Sequence, residues 1–274
     1  MLRIGVLGAA YRAGRTDQPR EGFIRSGGCG DRGAGSQARK EFADKHGIEI
    51  VHKGYGDLIA DPSIDAVYNP LPNGLHGRWT MAALVAGKHV LCEKPYASNA
   101  SEARTVAKAA RESGLVVMEA FHYRYHPLFQ RAVEIVQSGE LGTVQRIETA
   151  LCFPLPKFSD IRYRFDLGGG ATMDAGCYAI MARSLGGSEP EVVAAKAKLR
   201  TPNVDRAMTA ELRFEGGHTA RFERRSTYEN QPDAFTAAVP RGGPVLTPPE
   251  DSIANMTVID AVYAAAGLPP RQPT

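Results

Sequence analysis

The chain has 274 residues, 43% hydrophobic and 23% charged, and 33 basic against 30 acidic side chains leave a net charge of only +3. That balance argues against a nucleic-acid or membrane-surface partner, and no stretch approaches the ~20 apolar residues of a membrane span. Cys29, Cys92, Cys152 and Cys177 form no CxxC pair and no metal-ligand spacing with histidine, which points away from a zinc site and toward a reducing, cytoplasmic setting. The text starts directly on a strand pattern, read as the absence of a signal peptide.

In chain order, "LRIGVLG" (2–8) is a short apolar run ending in glycine, the pattern of a buried parallel strand. "IDAVYNP" (64–70) is a second, followed by a helix through "HGRWTMAALVAG" that Gly87 stops. "HVLCEKP" (89–95) is a third. The helix "SNASEARTVAKAARESG" follows, with Asn99 and Glu102 spaced as a capping box and Gly114 at its end. "LVVMEA" (115–120) is a fourth strand. Alternating strands and helices predict βαβ units and a parallel sheet covered on both faces.

After about residue 122 the pattern changes. "HPLFQRAVEIVQSGELG" reads as a helix ending at Gly139, and long strands follow at 143–153, 191–200, 206–214 and 218–226. "EGG" (215–217) predicts a hairpin between the last two. A helix at about 172–185 interrupts the strands, and "DAFTAAV" and "SIANMTVIDAVYAAA" read as closing helices. The predicted organisation is two domains, 1–122 and 123–274, the second with a mainly antiparallel sheet.

Three motifs carry chemistry. "GAAYRA" (8–13) places Gly8, Ala10 and Ala13 where a dinucleotide turn needs small residues for a tight turn, close backbone approach and helix packing. "CEKP" (92–95) puts Lys94 at the carboxyl end of a predicted parallel strand, where open α/β sheets bind ligands, and Pro95 turns the chain there. The bland reading is a surface lysine. "GGGATMDAGCYAI" (168–180) brings backbone close to something and then starts a helix. Asp174 and Tyr178, four apart, share one face of it. The bland reading makes Tyr178 a core residue.

Together with "IDAVYNPLPNGLH" and "MEAFHYRYHP", these motifs in this order resemble the glucose–fructose oxidoreductase / inositol dehydrogenase (Gfo/Idh/MocA) family, nearest its dimeric dihydrodiol dehydrogenase and D-xylose dehydrogenase branch. The resemblance implies an α/β fold: an N-terminal Rossmann domain and a C-terminal α+β domain with an open antiparallel sheet. It implies hydride transfer between C4 of NADP(H) or NAD(H) and a sugar, polyol or dihydrodiol carbon. Lys94 and Tyr178 take the catalytic roles, Tyr178 as proton donor or acceptor. A free Tyr titrates near ~10, and a nearby ammonium favours its phenolate. Glu93 holds the cofactor ribose, with Lys94 and Pro95 beside it. Asn69, Leu71, Pro72, Asn73 and His76 line the cofactor, Asn73 and His76 as direct contacts. Tyr123, Arg162, Asp174 and Tyr178 face the substrate. His122 and His126 flank a helix start and take a structural reading, and no metal spacing occurs.

The chain departs from the family pattern twice. Residues 11–37 hold seven glycines and five arginines, with Phe23 and Ile24 as the only large aliphatic or Phe residues. A buried second strand is not expected from that text. Codons for Tyr11–Arg39 can be chosen so that reading one base later yields an apolar helix, a valine-rich strand and a small-Arg-Asp ending. This raises a pair of compensating frame shifts; the alternative is a divergent loop. The arginine of that reconstructed ending leans toward NADP. Near 226–228, several strands of the family's sheet are missing. That sheet usually builds a homodimer face, so its truncation argues against a dimer here. Two further readings stand beside the enzyme: a non-catalytic cofactor- or sugar-sensing protein, and a decayed, inactive family member.

Overall fold

The computed structural model describes residues 2–8, 23–28 (as backbone), 41–144 except 42, 46 and 49, 146–215 except 152–154 and 156, then 235, 238–239 and 245–274. Its first half is a six-stranded, wholly parallel sheet. The strands are β1 (Leu2–Leu7), β2 (Phe23–Gly28), β3 (Ile50–His52), β4 (Ala66–Asn69), β5 (His89–Cys92) and β6 (Val117–Glu119). They lie in the order β3-β2-β1-β4-β5-β6, so the order reverses between β1 and β4. Helices α1 (Tyr55–Ala60), α2 (His76–Val85) and α3 (Ala100–Ser113) make the connections. β1, β4 and β5 are near-continuous apolar runs and are buried almost throughout, as strands covered on both faces must be.

β2 corrects one expectation. The glycine- and arginine-rich text does supply a second strand, paired from Leu2↔Phe23 to Leu7↔Gly28 on one side and with β3 on the other. A parallel ladder is made by backbone N–H and C=O groups that every non-proline residue carries. Glycine weakens such a strand by roughly 0.5–1 kcal/mol relative to alanine but does not forbid it. The rest of the 11–37 stretch, the reading-frame question included, lies outside the described residues.

α3 is capped as its sequence requires, with one change of partner. Asn99 Oδ1 accepts from the Glu102 N–H at 2.9 Å, but the Glu102 carboxylate reaches back to Ser98 N at 2.7 Å instead of to Asn99. Gly114 ends the helix at φ 66. The buried face of α3 is Ala103, Val106, Ala107 and Ala110, small enough for close packing by the chain's last long helix, α6 (Pro249–Ala265). Asp260 of α6 accepts from the Ala100 N–H at 2.8 Å, and Arg111 pairs with Glu250 at 2.6 Å. Met256, Ile259 and Tyr263 complete the same core that holds Leu7, Val67 and Val90.

In the second half, α4 (Pro127–Gln137) forms as expected, followed by Gly139 at φ 75. The strand expected at 143–153 does not form among its described residues. The alternation persists, with Ile147 and Thr149 half-buried between exposed Arg146, Glu148 and Ala150, but no strand among the described residues pairs with them. β7 (Glu191–Thr201) and β8 (Val204–Arg213) pair antiparallel. Their turn is Pro202–Asn203, Asn203 lying at φ 63, which is type II turn chemistry. The "EGG" hairpin beyond Glu215, the strand at 218–226 and the truncation near 226–228 lie outside the described residues. Of "DAFTAAV", Phe235 and Ala238 are helical and buried. The helix expected at 172–185 opens with a π turn, Thr172–Gly176, then a single α turn, Cys177–Ala179, then α5 (Met181–Gly186).

Candidate active site

β5 ends at Cys92 and delivers Glu93, Lys94 and Pro95 to the carboxyl edge of the sheet, with a cis Lys94–Pro95 peptide. Lys94 is only 2% exposed, so its ammonium needs partners. Asp174 supplies them: Lys94 Nζ donates to the Asp174 carbonyl at 2.8 Å and to Oδ1 at 3.1 Å. Arg162 Nε stands 2.8 Å from Asp174 Oδ2, so one carboxylate holds two cations. Lys94 Nζ also sits 5.0 Å from the Tyr178 ring centroid, over its face. The motifs "CEKP" and "GGGATMDAGCYAI", 80 residues apart at Lys94 and Asp174, thus meet in one place.

The π turn sets this meeting. It widens the helix between Thr172 and Gly176, and such turns concentrate at functional sites. Asp205 anchors its start, accepting from the Thr172 N–H and hydroxyl, both at 2.7 Å. Asp205 is fully buried and also takes the Tyr263 hydroxyl and Arg271 Nη2, each at 3.1 Å. The glycines before the turn let chain meet chain. A Cβ on Gly168 would stand 2.9 Å from the Gly74 backbone nitrogen. Gly170, at φ 137, lies where any Cβ would run into the Asp205 carboxylate.

Tyr178 lies in an aromatic nest. Its ring is 5.8 Å edge-on from Phe121 and 5.9 Å from Tyr123, which in turn packs on Phe129 at 4.8 Å. Its hydroxyl is 3.0 Å from His122 Nε2. His122, read from the sequence as structural, thus partners a candidate catalytic hydroxyl. His126 keeps the structural role, its Nδ1 accepting from the Leu128 N–H at 3.1 Å to cap α4.

Gly8 follows β1 at φ 87, beside the point where strand order reverses, the place where such sheets bind dinucleotides. Ala10 and Ala13 lie outside the described residues. Across the reversal, the loop after β4 is braced from inside. Asn69 is fully buried, its amide donating to the His76 carbonyl at 3.1 Å and to Thr80 Oγ1 at 3.3 Å. Both His76 ring nitrogens face backbone carbonyls at 2.7 Å, those of Pro95 and Leu71. Burial pushes its pKa down while those two contacts pull it up. Asn69 and His76 thus hold the loop's shape. Leu71 is buried, Pro72 half-buried, and Asn73 Nδ2 donates to the Gly168 carbonyl at 3.1 Å. Glu93 Oε1 accepts from the Tyr68 hydroxyl at 2.8 Å.

Behind the Lys94 turn, Glu119 closes β6 with no exposure. It accepts from the Tyr96 N–H at 2.8 Å and the Ser252 hydroxyl at 2.6 Å. Burial pushes its carboxyl up to about 7. Burial also pushes the Cys177 thiol up to about 12 and the Cys92 thiol well up, so neither is a ready nucleophile. A cavity of ≈ 510 Å³ opens on the Arg162 and Asp174 side, toward Asp205 and Met208; Lys94 and Tyr178 are not among its walls. Among the described residues, no three His, Cys, Asp or Glu side chains group to hold a metal, and no helix is long and apolar enough to cross a membrane.

The chain has counterparts in sequence and fold. Residues 3–121 match the oxidoreductase family with an NAD-binding Rossmann fold (GFO/IDH/MocA), and residues 129–239 match the GFO/IDH/MocA C-terminal domain. The chain is 40% identical over 227 residues to D-xylose 1-dehydrogenase (NADP(+)) 2 of Haloferax volcanii, covering 82% of this chain and 69% of that one. It is 32% identical over 183 residues to trans-1,2-dihydrobenzene-1,2-diol dehydrogenase of Xenopus tropicalis, covering 66% of this chain and 55% of that one. A solved 3-ketoreductase variant from Actinomadura kijaniata, in complex with TDP-benzene and NADP, shares the fold at a TM-score of 0.81 and 27% identity, covering 96% and 97% of the two chains. The chain belongs to the Gfo/Idh/MocA oxidoreductase family.

Proposed function

We propose that this chain is an NAD(P)(H)-dependent oxidoreductase that acts on a hydroxyl- or keto-bearing carbon of a sugar, polyol or dihydrodiol. The observation that carries the reading is the Lys94–Asp174 pair seated against Tyr178 at the carboxyl end of the parallel sheet. The residues described there suit the nicotinamide half of a dinucleotide: left-handed Gly8 at the strand-order reversal, the braced loop after β4, and the Glu93 carboxylate near the ribose position. The groups expected at the adenosine end fall outside the described residues. NADP(H) is favoured because two of the relatives are an NADP(+) dehydrogenase and an NADP complex; NAD(H) is the alternative.

The cofactor supplies a hydride donor or acceptor at C4, and the protein does the rest. Lys94 places a positive charge where an oxygen turns negative, the usual large term in such a site. Asp174 fixes the ammonium by two contacts and orients Arg162 toward the substrate side. Tyr178 gives or takes the hydroxyl proton, and Tyr123 walls the sugar against water. The described cysteines are free buried thiols, which suits the reducing, cytoplasmic setting read from the sequence.

The test is a fluorescence titration of the intact chain with NADPH and NADH, followed by a screen of aldoses, polyols and keto-sugars. Saturable binding, tighter for NADPH, with turnover lost about 10²–10⁴-fold in Lys94→Ala is the expected result. Binding with no turnover of any compound would leave a sensor. A folded chain that binds neither nucleotide would overturn the reading.

A further inference from the structure

We propose that His122 is the proton-relay partner of Tyr178, a positioning residue that accepts the phenolic proton at Nε2 and returns it. The inference deepens the function proposed above and rests on it.

The geometry separates the two basic groups near Tyr178. Lys94 Nζ lies over the ring face, 5.0 Å from its centroid, and is held there by the Asp174 carbonyl and carboxylate. His122 Nε2 is 3.0 Å from the hydroxyl, inside the reach over which a proton moves between heavy atoms. The two rings are tilted at 52° with centroids 5.6 Å apart, and the imidazole meets the hydroxyl through Nε2. The His122 backbone is fixed by its N–H donating to the Ala120 carbonyl at 3.0 Å, and the Tyr178 ring is fixed by Phe121 packing edge-on against it.

The chemistry balances without a further reagent. When a substrate C–OH is oxidised, its C–H bond breaks, and a bound nicotinamide would take up the hydride as oxidant. The hydroxyl proton passes to the Tyr178 oxygen while the phenolic proton passes to His122 Nε2. A C=O forms, and an imidazolium holds the proton until solvent takes it. In the reducing direction each transfer reverses. A phenol alone has no partner titrating near neutrality; an imidazole, ordinarily near 6.5, is the side chain that does.

The other groups around the pair are Lys94 with Asp174, Cys177 and Tyr123, then Arg124 bonded to Asp251, with Glu119 behind. Burial pushes the Tyr123 hydroxyl and the Cys177 thiol far up, and Arg124 and Lys94 are occupied by carboxylates. Glu119 spends its two oxygens on the Tyr96 N–H and the Ser252 hydroxyl, so none of these groups meets the Tyr178 hydroxyl as His122 does.

The experiment has two arms. In the first, the His122 imidazole is titrated by NMR in the intact, cofactor-free chain with labelled histidine, beside Tyr178→Phe. The expected result is a midpoint displaced by the loss of the hydroxyl; an unmoved midpoint overturns the relay. In the second, kcat and KM are followed against pH for the wild type, His122→Phe and His122→Gln. Gln keeps a hydrogen bond to Tyr178 but cannot take a proton. Both variants should lose kcat about tenfold or more and lose the limb near neutrality, with KM little changed. Full activity and an unaltered pH profile in Gln would reduce His122 to a hydrogen-bonding strut. The first arm needs neither cofactor nor substrate. Failure of every substrate therefore counts against the proposed function, while an unmoved NMR midpoint overturns the relay on its own.

Discussion

Replacing Glu119 by Gln should make the protein more stable than the wild type at pH 8, by an amount that shrinks as the pH falls. The folded carboxyl is pushed up to about 7 by burial, from an ordinary 4.5. Below 4.5 it is protonated whether the chain is folded or not. Between 4.5 and 7 the unfolded chain releases a proton that the folded chain keeps, so folding becomes less favourable as the pH rises. Above 7 both forms are ionised and the loss is complete. At 1.36 kcal/mol per pH step, the full loss is about 3 kcal/mol, of which about 2.5 kcal/mol falls between pH 5 and pH 8.

Gln has the same shape and no such proton. Its carbonyl still accepts from the Tyr96 N–H, and its amide can donate to the Ser252 hydroxyl, the two contacts Glu119 makes at 2.8 and 2.6 Å. Calorimetric or circular-dichroism melting of both proteins at pH 5 and pH 8 isolates the effect, because every other titrating group is common to the pair. At about 2–4 °C per kcal/mol for a chain of this class, the Tm of Glu119→Gln should gain roughly 5–10 °C on the wild type between the two pH values. A Tm difference that is the same at both would refute the reasoning, because it would mean that Glu119 holds no extra proton in the fold.

Arg271→Met should cost about 3–5 kcal/mol in urea unfolding, since it strands the buried Asp205 carboxylate; adding Asp205→Asn should recover part of that loss. Gly170→Ala forces a side chain into φ 137 and into the Asp205 carboxylate, and should lower stability by about 2 kcal/mol or more and disturb the Lys94–Asp174 contact, read as lost turnover. Replacing Tyr11–Arg39 by the one-base-shifted reading should tighten NADPH binding if that stretch is a frame-shifted remnant; unchanged affinity would mean that β2, as built from Phe23–Gly28, already suffices.

Where the sequence could be read, the reason is local. "LRIGVLG", "IDAVYNP" and "HVLCEKP" are runs too apolar to sit anywhere but a covered parallel sheet, and Asn99, Glu102 and Gly114 mark α3 by chemistry confined to a few residues. β2 carries no side-chain signal because backbone does its pairing: Leu2–Leu7 offers a complete edge, and Phe23–Gly28 needs only its own amides to take it. The segment at 143–153 fails the opposite way. Its alternation is real, yet a strand is a relation between two segments, and the described residues hold no second segment paired with it.

The site divides along the same line. Lys94, Asp174 and Tyr178 each stood out by residue type and position, and the fold brings them together. His122 and Glu119 carry no local signal, because what matters about them is a partner far along the chain: His122 and Tyr178 are 56 residues apart, Glu119 and Ser252 133. Asn69 and His76 show the converse. Polar residues in this loop suggest ligand contacts, but Asn69 and His76 face the buried carbonyls of His76, Leu71 and Pro95 and the buried Thr80 hydroxyl of α2, and an unmade buried hydrogen bond costs about 1–3 kcal/mol. Their side chains turn inward to meet that cost, and so fix the loop beside Gly8 through which the rest of the site would act.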